Sequence, residues 1–190
     1  MKRTFLLAIS IATLFGGAAN AQSFQWQDFQ FLGIGAAAGG GNIRGEGGII
    51  SSFGAMVYAD IYYMGAPYRL HAFYAQDARL LTPEDSDGDR YGAVDGVAGS
   101  FMMNVPFHET VQMDLSLGIA YLRDRTLVDS PPPVYGLLIG GAIDYKTGTF
   151  LGADVMVGPR VDYMFGAFGN PSGLINFSLE SRLQFGDYDQ

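Results

Sequence analysis

Leu174-Ile175-Asn176-Phe177-Ser178-Leu179-Glu180-Ser181-Arg182-Leu183-Gln184-Phe185 is the stretch that decides the fold. Successive side chains of an extended chain point to opposite faces. One face therefore carries Ile175, Phe177, Leu179, Leu183 and Phe185, and the other carries Asn176, Ser178, Glu180, Arg182 and Gln184. A strand that shows Phe and Leu on one side and Glu and Arg on its back inverts a soluble sheet if the polar side is enclosed. That is the pattern of a transmembrane β-barrel with lipid outside.

Seven further stretches alternate in the same way. The first lies within Gln25 to Gly39, where Phe29 and Phe31 compete with Leu32 and Ile34 for the outer face. The second, Ile49 to Tyr63, sets Phe53, Val57 and Ile61 against Ser52, Met56, Tyr58 and Asp60. In the third, Tyr68 to Leu80, Leu70 and Tyr74 oppose Arg69, His71, Phe73 and Asp77. The fourth runs to Met103 with Val97 and Phe101 outward. In the fifth, Val111 to Tyr121 alternate with Thr110 to Ala120 without a break. The sixth shows Tyr135, Leu137, Ile139, Ile143 and Tyr145. The seventh shows Leu151, Ala153, Val155 and Val157 against Gly152, Asp154, Met156 and Arg160.

Short turns are expected at Gly65-Ala66-Pro67, Asn104–Glu109 and Lys146–Thr149, with longer, Gly-, Pro- and charge-rich connections after strands one, three, five and seven. The fold class is therefore all-β: an eight-stranded antiparallel up-and-down barrel with short periplasmic turns, longer extracellular loops and both termini periplasmic.

The start of the chain agrees with that location. Lys2 and Arg3 precede the apolar run Phe5 to Phe15, which gives way to Ala19-Asn20-Ala21, the pattern of a signal peptide over residues 1–21. The barrel domain is then 22–190. No later segment offers about 20 apolar residues free of charge or glycine clusters, so a helical span is not expected. Without Lys2 and Arg3, nine of the 11 basic residues remain against 19 acidic ones, a net charge of −10 that speaks against nucleic-acid binding. The absence of cysteine excludes a disulfide scaffold, a thiol nucleophile and a thiolate metal site. A soluble eight-stranded barrel is the competing reading, but its apolar face points inward. Strands five and eight have a large apolar face and a back of small and charged residues, and the apolar face would aggregate in water.

The mature chain resembles the small eight-stranded outer-membrane barrels of the OmpA, OmpX and OmpW type. The resemblance rests on architecture and on Ser178 to Phe185, which is similar to the C-terminal assembly signal of such barrels, with Leu179, Leu183 and Phe185 as its apolar positions. The tail Gly186-Asp187-Tyr188-Asp189-Gln190 departs from relatives that end on the aromatic itself. The resemblance implies outer-membrane lipids, lipopolysaccharide and the outer-membrane assembly machinery as partners. It also implies extracellular loops that meet a ligand in a structural, surface-interaction or adhesion role.

Inward charges are expected at Asp60, Arg69, His71, Asp114, Asp154, Glu180 and Arg182. An eight-stranded lumen is only wide enough for its own side chains, so Arg69 and Arg182 should face Asp114, Asp154 and Glu180 in a luminal charge network. Passage of small apolar solutes, as in OmpW-like barrels, is the first rival, suggested by Met56, Tyr58, Phe73 and Met102 on the inner face. A lipid-A-modifying barrel enzyme is the second. For it, His71 is the candidate base and Asp60 the carboxylate to orient it, but no suitably spaced serine stands out. The His-x-Ser signature of lipid-A deacylase barrels is missing at both His71 and His108.

His108 and Glu109 read as a polar surface pair in a turn. No cofactor is expected beyond weak Ca²⁺ binding by Asp85, Asp87 and Asp89, since Arg90 and Gly96 replace the glycine and glutamate that a complete calcium loop needs. Gly39-Gly40-Gly41 and Gly45-Glu46-Gly47-Gly48 read as flexible loop.

Overall fold

The computed structural model describes residues 29–45, 48–78, 93–124, 133–166 and 173–185. The expected signal peptide, the expected calcium ligands Asp85, Asp87 and Asp89, and residues 186–190 lie outside the described residues. The strands are β1 (Phe29–Gly45), β2 (Gly48–Tyr63), β3 (Ala66–Asp77), β4 (Ala93–His108), β5 (Val111–Asp124), β6 (Val134–Phe150), β7 (Ala153–Gly166) and β8 (Gly173–Gln184). Each pairs antiparallel with the next, and β1 also pairs with β8, closing the barrel. Closure gives each of these eight strands a partner on both sides, so that none is an edge strand open to another chain.

The outside is the apolar face. In β5, Leu117 and Ile119 are 60% and 63% exposed while Asp114, Ser116 and Ala120 are buried; in β8, Phe177 and Leu179 are exposed while Glu180 and Arg182 are buried. The ambiguous parity of strand one has a physical cause. A β-bulge between Phe31 and Gly33 lets Phe31 and Ile34 both point outward while Leu32 is fully buried.

Three expectations about connections are corrected. The first and third short turns are Met64-Gly65 and Leu151-Gly152, each with two consecutive positive φ values (51° and 80°, 51° and 82°). This is the primed geometry that matches strand twist, and glycine at the second position selects it. Ala66 and Pro67 thus already belong to β3. Lys146–Thr149 belongs to β6, where a register shift between Lys146 and Gly148 carries the strand onward. Ala153 is accordingly buried rather than outward. The middle turn is Glu109-Thr110, because β4 continues to His108 past a bulge next to Pro106.

The largest correction concerns Gly39-Gly40-Gly41, which lies inside β1. A Cβ at Gly39 would sit 2.0 Å from the Phe177 carbonyl oxygen, and one at Gly41 would sit 1.8 Å from that of Ile175. These glycines let β1 close onto β8. The ladder to β2 runs to Gly45↔Gly48, so only residues 46 and 47 separate those strands. At the same end the other connections, 78–92, 125–133 and 167–172, are longer.

The core is the lumen. Toward the long-connection end, Ile43, Phe73, Val94, Leu122, Leu138, Met164 and Leu174 pack in one cluster; toward the turn end, Leu32 and Met102 pack with Tyr62. Apart from Asp77, buried beyond Ala75 at the long-connection end of β3, the buried charged side chains fall between these two apolar layers.

Candidate functional site: a sealed ion-pair network in the lumen

Arg69 and Asp60 sit directly opposite each other on the β2–β3 ladder. The guanidinium donates twice to the carboxylate, Nε to Oδ1 at 2.5 Å and Nη2 to Oδ2 at 2.7 Å. Arg69 Nη2 also reaches Asp114 Oδ2 at 3.2 Å, and Nη1 lies 3.9 Å from Glu180 Oε2. Arg182 ties three strands together, donating to Asp114, to Asp144 Oδ2 at 2.7 Å and to Asp60 Oδ2 at 3.5 Å. Arg160 holds Asp162 with two bonds of 2.7 Å and Glu180 with one of 3.2 Å. Asn104 Nδ2 donates to Asp114 Oδ1 at 2.6 Å, and Gln112 and Gln184 join across the lumen nearby.

All eight ionic side chains are at most 3% exposed. Desolvating such ions costs several kcal/mol each, so burial is tolerable only with good geometry and further hydrogen bonds. Bidentate Arg–carboxylate forks meet that condition.

Small residues make room for the network. A Cβ at Gly35 would lie 2.3 Å from the Tyr58 ring, on which the Arg69 guanidinium stacks at 3.9 Å. One at Gly140 would lie 2.5 Å from Asp162 Oδ1 and from Ser116 Oγ. Asp114, Asp144 and Glu180 bring oxygens within 4.8 Å of one another, a spacing that suits a cation. Arg182 donates to two of them while Arg160 and Arg69 flank the third, so the chain's own arginines supply the positive charge.

The structure brings Arg69, Asp114, Glu180 and Arg182 together with Asp60. Asp154 stands apart. It pairs with Lys146 at 2.6 Å where both are over a third exposed, because residue 154 lies two residues beyond the Leu151-Gly152 turn, at the rim. Asp60 does not orient His71, since Arg69 takes both its oxygens. His71 Nε2 instead contacts Ser100 Oγ at 2.9 Å and Nδ1 contacts the Met56 thioether at 3.1 Å.

Sequence reading missed Ser100, which reaches His71 only through the β3–β4 register, where His71 faces Ala98. The resulting pair is buried, and the other nitrogen of the imidazole meets the Met56 thioether rather than a carboxylate. Asp144 and Asp162 were also missed, and Arg160, expected on the inner face of strand seven, was left out of the network. Strand parity was the available signal, because Ile143 and Tyr145 outward place Asp144 inward. His108 is exposed at the turn beside Thr110, 3.2 Å from its hydroxyl. In the C-terminal segment, Leu179 and Phe185 are exposed and Leu183 is half-buried. Phe185 N–H donates to the Leu32 carbonyl at 2.7 Å, and its ring lies 5.7 Å from that of Phe31.

No family model matches the chain, and no curated protein does. Solved structures do. Neisserial surface protein A matches with a TM-score of 0.62 at 12% identity, over 83% of this chain and 97% of that one. The fold is that of the small eight-stranded outer-membrane barrels. The attachment invasion locus protein Ail of Yersinia pestis aligns at 10% identity over 83% of this chain and 99% of that one, with a TM-score of 0.46. The N-terminal barrel domain of Pseudomonas aeruginosa OprF gives 13% identity, 82% and 100% coverage and a TM-score of 0.43. Outer-membrane barrels of this size present an apolar lipid-facing belt, and the exposed Phe101, Leu117, Ile139, Tyr163 and Phe177 give this barrel an apolar exterior of the same kind.

Proposed function

We propose that this chain is an integral outer-membrane barrel with a closed lumen, and that its role, surface interaction or adhesion, is carried by the connections at the end opposite the two-residue turns. The observation that carries this reading is the filled interior. Eight ionic side chains interlock between two apolar clusters, and Met56, Tyr58, Phe73 and Met102 are buried within the packing. A lumen occupied by its own side chains favours a scaffold over a conduit. An apolar-solute path would need Phe73, Val94, Leu122, Leu138 and Met164 to part. The His71–Ser100 pair is likewise closed off from lipid, which weighs against lipid-A modification.

In this reading the termini are periplasmic, residues 78–92, 125–133 and 167–172 face outward, and the partners are outer-membrane lipid, lipopolysaccharide, the assembly machinery and an extracellular ligand. The test is replacement of each long connection by a short Gly-Ser turn in cells that display the barrel, with attachment to host cells and to matrix-coated surfaces measured. Attachment should fall to that of cells lacking the protein while heat-modifiable migration, the mark of a folded barrel, is kept. Attachment that survives all three replacements, or that the intact protein never confers, sinks the proposal.

A further inference from the structure

The charge count of the lumen does not close on arginine alone. Asp60, Asp114, Asp144, Asp162 and Glu180 are buried against Arg69, Arg160 and Arg182. The excess of carboxylate gathers where Asp144 on β6 and Glu180 on β8 bring oxygens within 4.8 Å of each other. Arg182 occupies Asp144 Oδ2, and Arg160 occupies Glu180 Oε2 with Arg69 behind it. The remaining oxygens, Asp144 Oδ1 and Glu180 Oε1, receive no hydrogen bond from any N–H or O–H group of the described chain. An ionised carboxylate only accepts, so two of them in contact cannot bond unless one carries an O–H.

We propose that Asp144 and Glu180 hold one proton between them, as a buried acid–carboxylate pair that latches β6 to β8 across the intervening β7. Two like charges held side by side in a closed, poorly solvated space are the condition under which carboxyl pairs retain a proton. The groups facing the pair are Arg182 on β8, Arg160 and Asp162 on β7, Asp114 on β5, Arg69 on β3, and Asp60 and Tyr58 on β2. At the neighbouring level of β1 stand Gly35 and Ala37, which carry no charge. The wall beside Asp144 is also weakly tied. The β6–β7 ladder passes from Ala142↔Arg160 to Tyr145↔Val157 without pairing Ile143 or Asp144, where Pro159 has no N–H to give. Loss of the proton therefore puts mutual repulsion beside a gap in the β6–β7 ladder, and raises the tendency of the barrel to open as pH rises.

The experiment is infrared spectroscopy of the full barrel refolded in phosphatidylcholine vesicles in D₂O, with the thermal midpoint of heat-modifiable migration recorded from neutral to alkaline pH. The wild type should show the carbonyl band of a protonated carboxyl at neutral pH, and its midpoint should fall as that band is lost. Asp144→Asn and, independently, Glu180→Gln replace the shared proton by a permanent amide donor. Either variant should lack the band and show a flatter midpoint profile. A wild type without the band at neutral pH overturns the proposal, and so does a folded variant that keeps both band and slope. A midpoint that drops in chelator and recovers with Mg²⁺ would assign the missing charge to a metal ion instead and would equally overturn it.

Discussion

Arg182 on β8 reaches across β7 to donate Nη2 to Asp144 Oδ2 on β6 at 2.7 Å, while its Nη1 bonds Asp114 on β5. With its bond to Asp60 on β2, this one side chain links β8 to three other strands. The Phe31–Phe185 ring contact and the Phe185 N–H···Leu32 bond fasten β1 to the chain's last strand at the turn end.

Arg182→Ala should therefore destabilise the barrel by about 3–5 kcal/mol, because it leaves buried carboxylates uncompensated. Reversible urea unfolding in vesicles checks this. Arg182→Lys keeps the charge but not the fork, and should recover only part of the loss.

The β1–β8 seam makes a prediction by contrast. Gly39→Ala and Gly41→Ala drive a Cβ into the carbonyls of Phe177 and Ile175, whereas Gly40→Ala meets nothing closer than 3.6 Å. The first two should cost about 3 kcal/mol or more, by overpacking against rigid backbone. Gly40→Ala should fold as the wild type does, as judged by the fraction of heat-modifiable species after refolding.

Leu117 tests which side faces lipid. It is exposed near the middle of β5, so Leu117→Arg should cost about 2–4 kcal/mol in a bilayer, as charges do at the midplane of such barrels. A sheet with water outside would absorb that change with little effect, and unfolding in vesicles of fixed composition distinguishes the two.

Leu151 occupies the left-handed region with φ 51° and is 85% exposed. A bulky side chain is disfavoured there, whereas Asn tolerates it. Leu151→Asn should stabilise the barrel by about 1 kcal/mol and should not alter the luminal contacts. The same urea titration reads it.

Much of this architecture is legible in the sequence. β5 and β8 alternate without interruption because each residue there meets only two environments, lipid or lumen. Legibility fails where a local device shifts the parity or ends a strand. The Phe31/Gly33 bulge makes strand one ambiguous, and the Lys146/Gly148 shift carries β6 four residues past the expected turn onset to Phe150. The glycines at 39–41 look like loop because glycine suits loops, yet at 39 and 41 only glycine leaves room for β1 to close onto β8. In the site, parity places Arg69, Asp114, Glu180 and Arg182 inward. Which acid meets which base depends on strand tilt and stagger. That is why Asp154 falls at the rim, why Asp144, Arg160 and Asp162 join the network, and why Ser100 rather than Asp60 meets His71.

The central claim, a barrel closed by its own charged interior, is tested most directly by conductance of the purified, heat-modifiable protein in planar lipid bilayers. The packed lumen predicts insertion without stepwise current, and current should emerge only when the network is broken, as in Arg182→Ala. Stable, uniform conductance steps from the wild-type protein would contradict the closed lumen and place solute passage ahead of the scaffold reading.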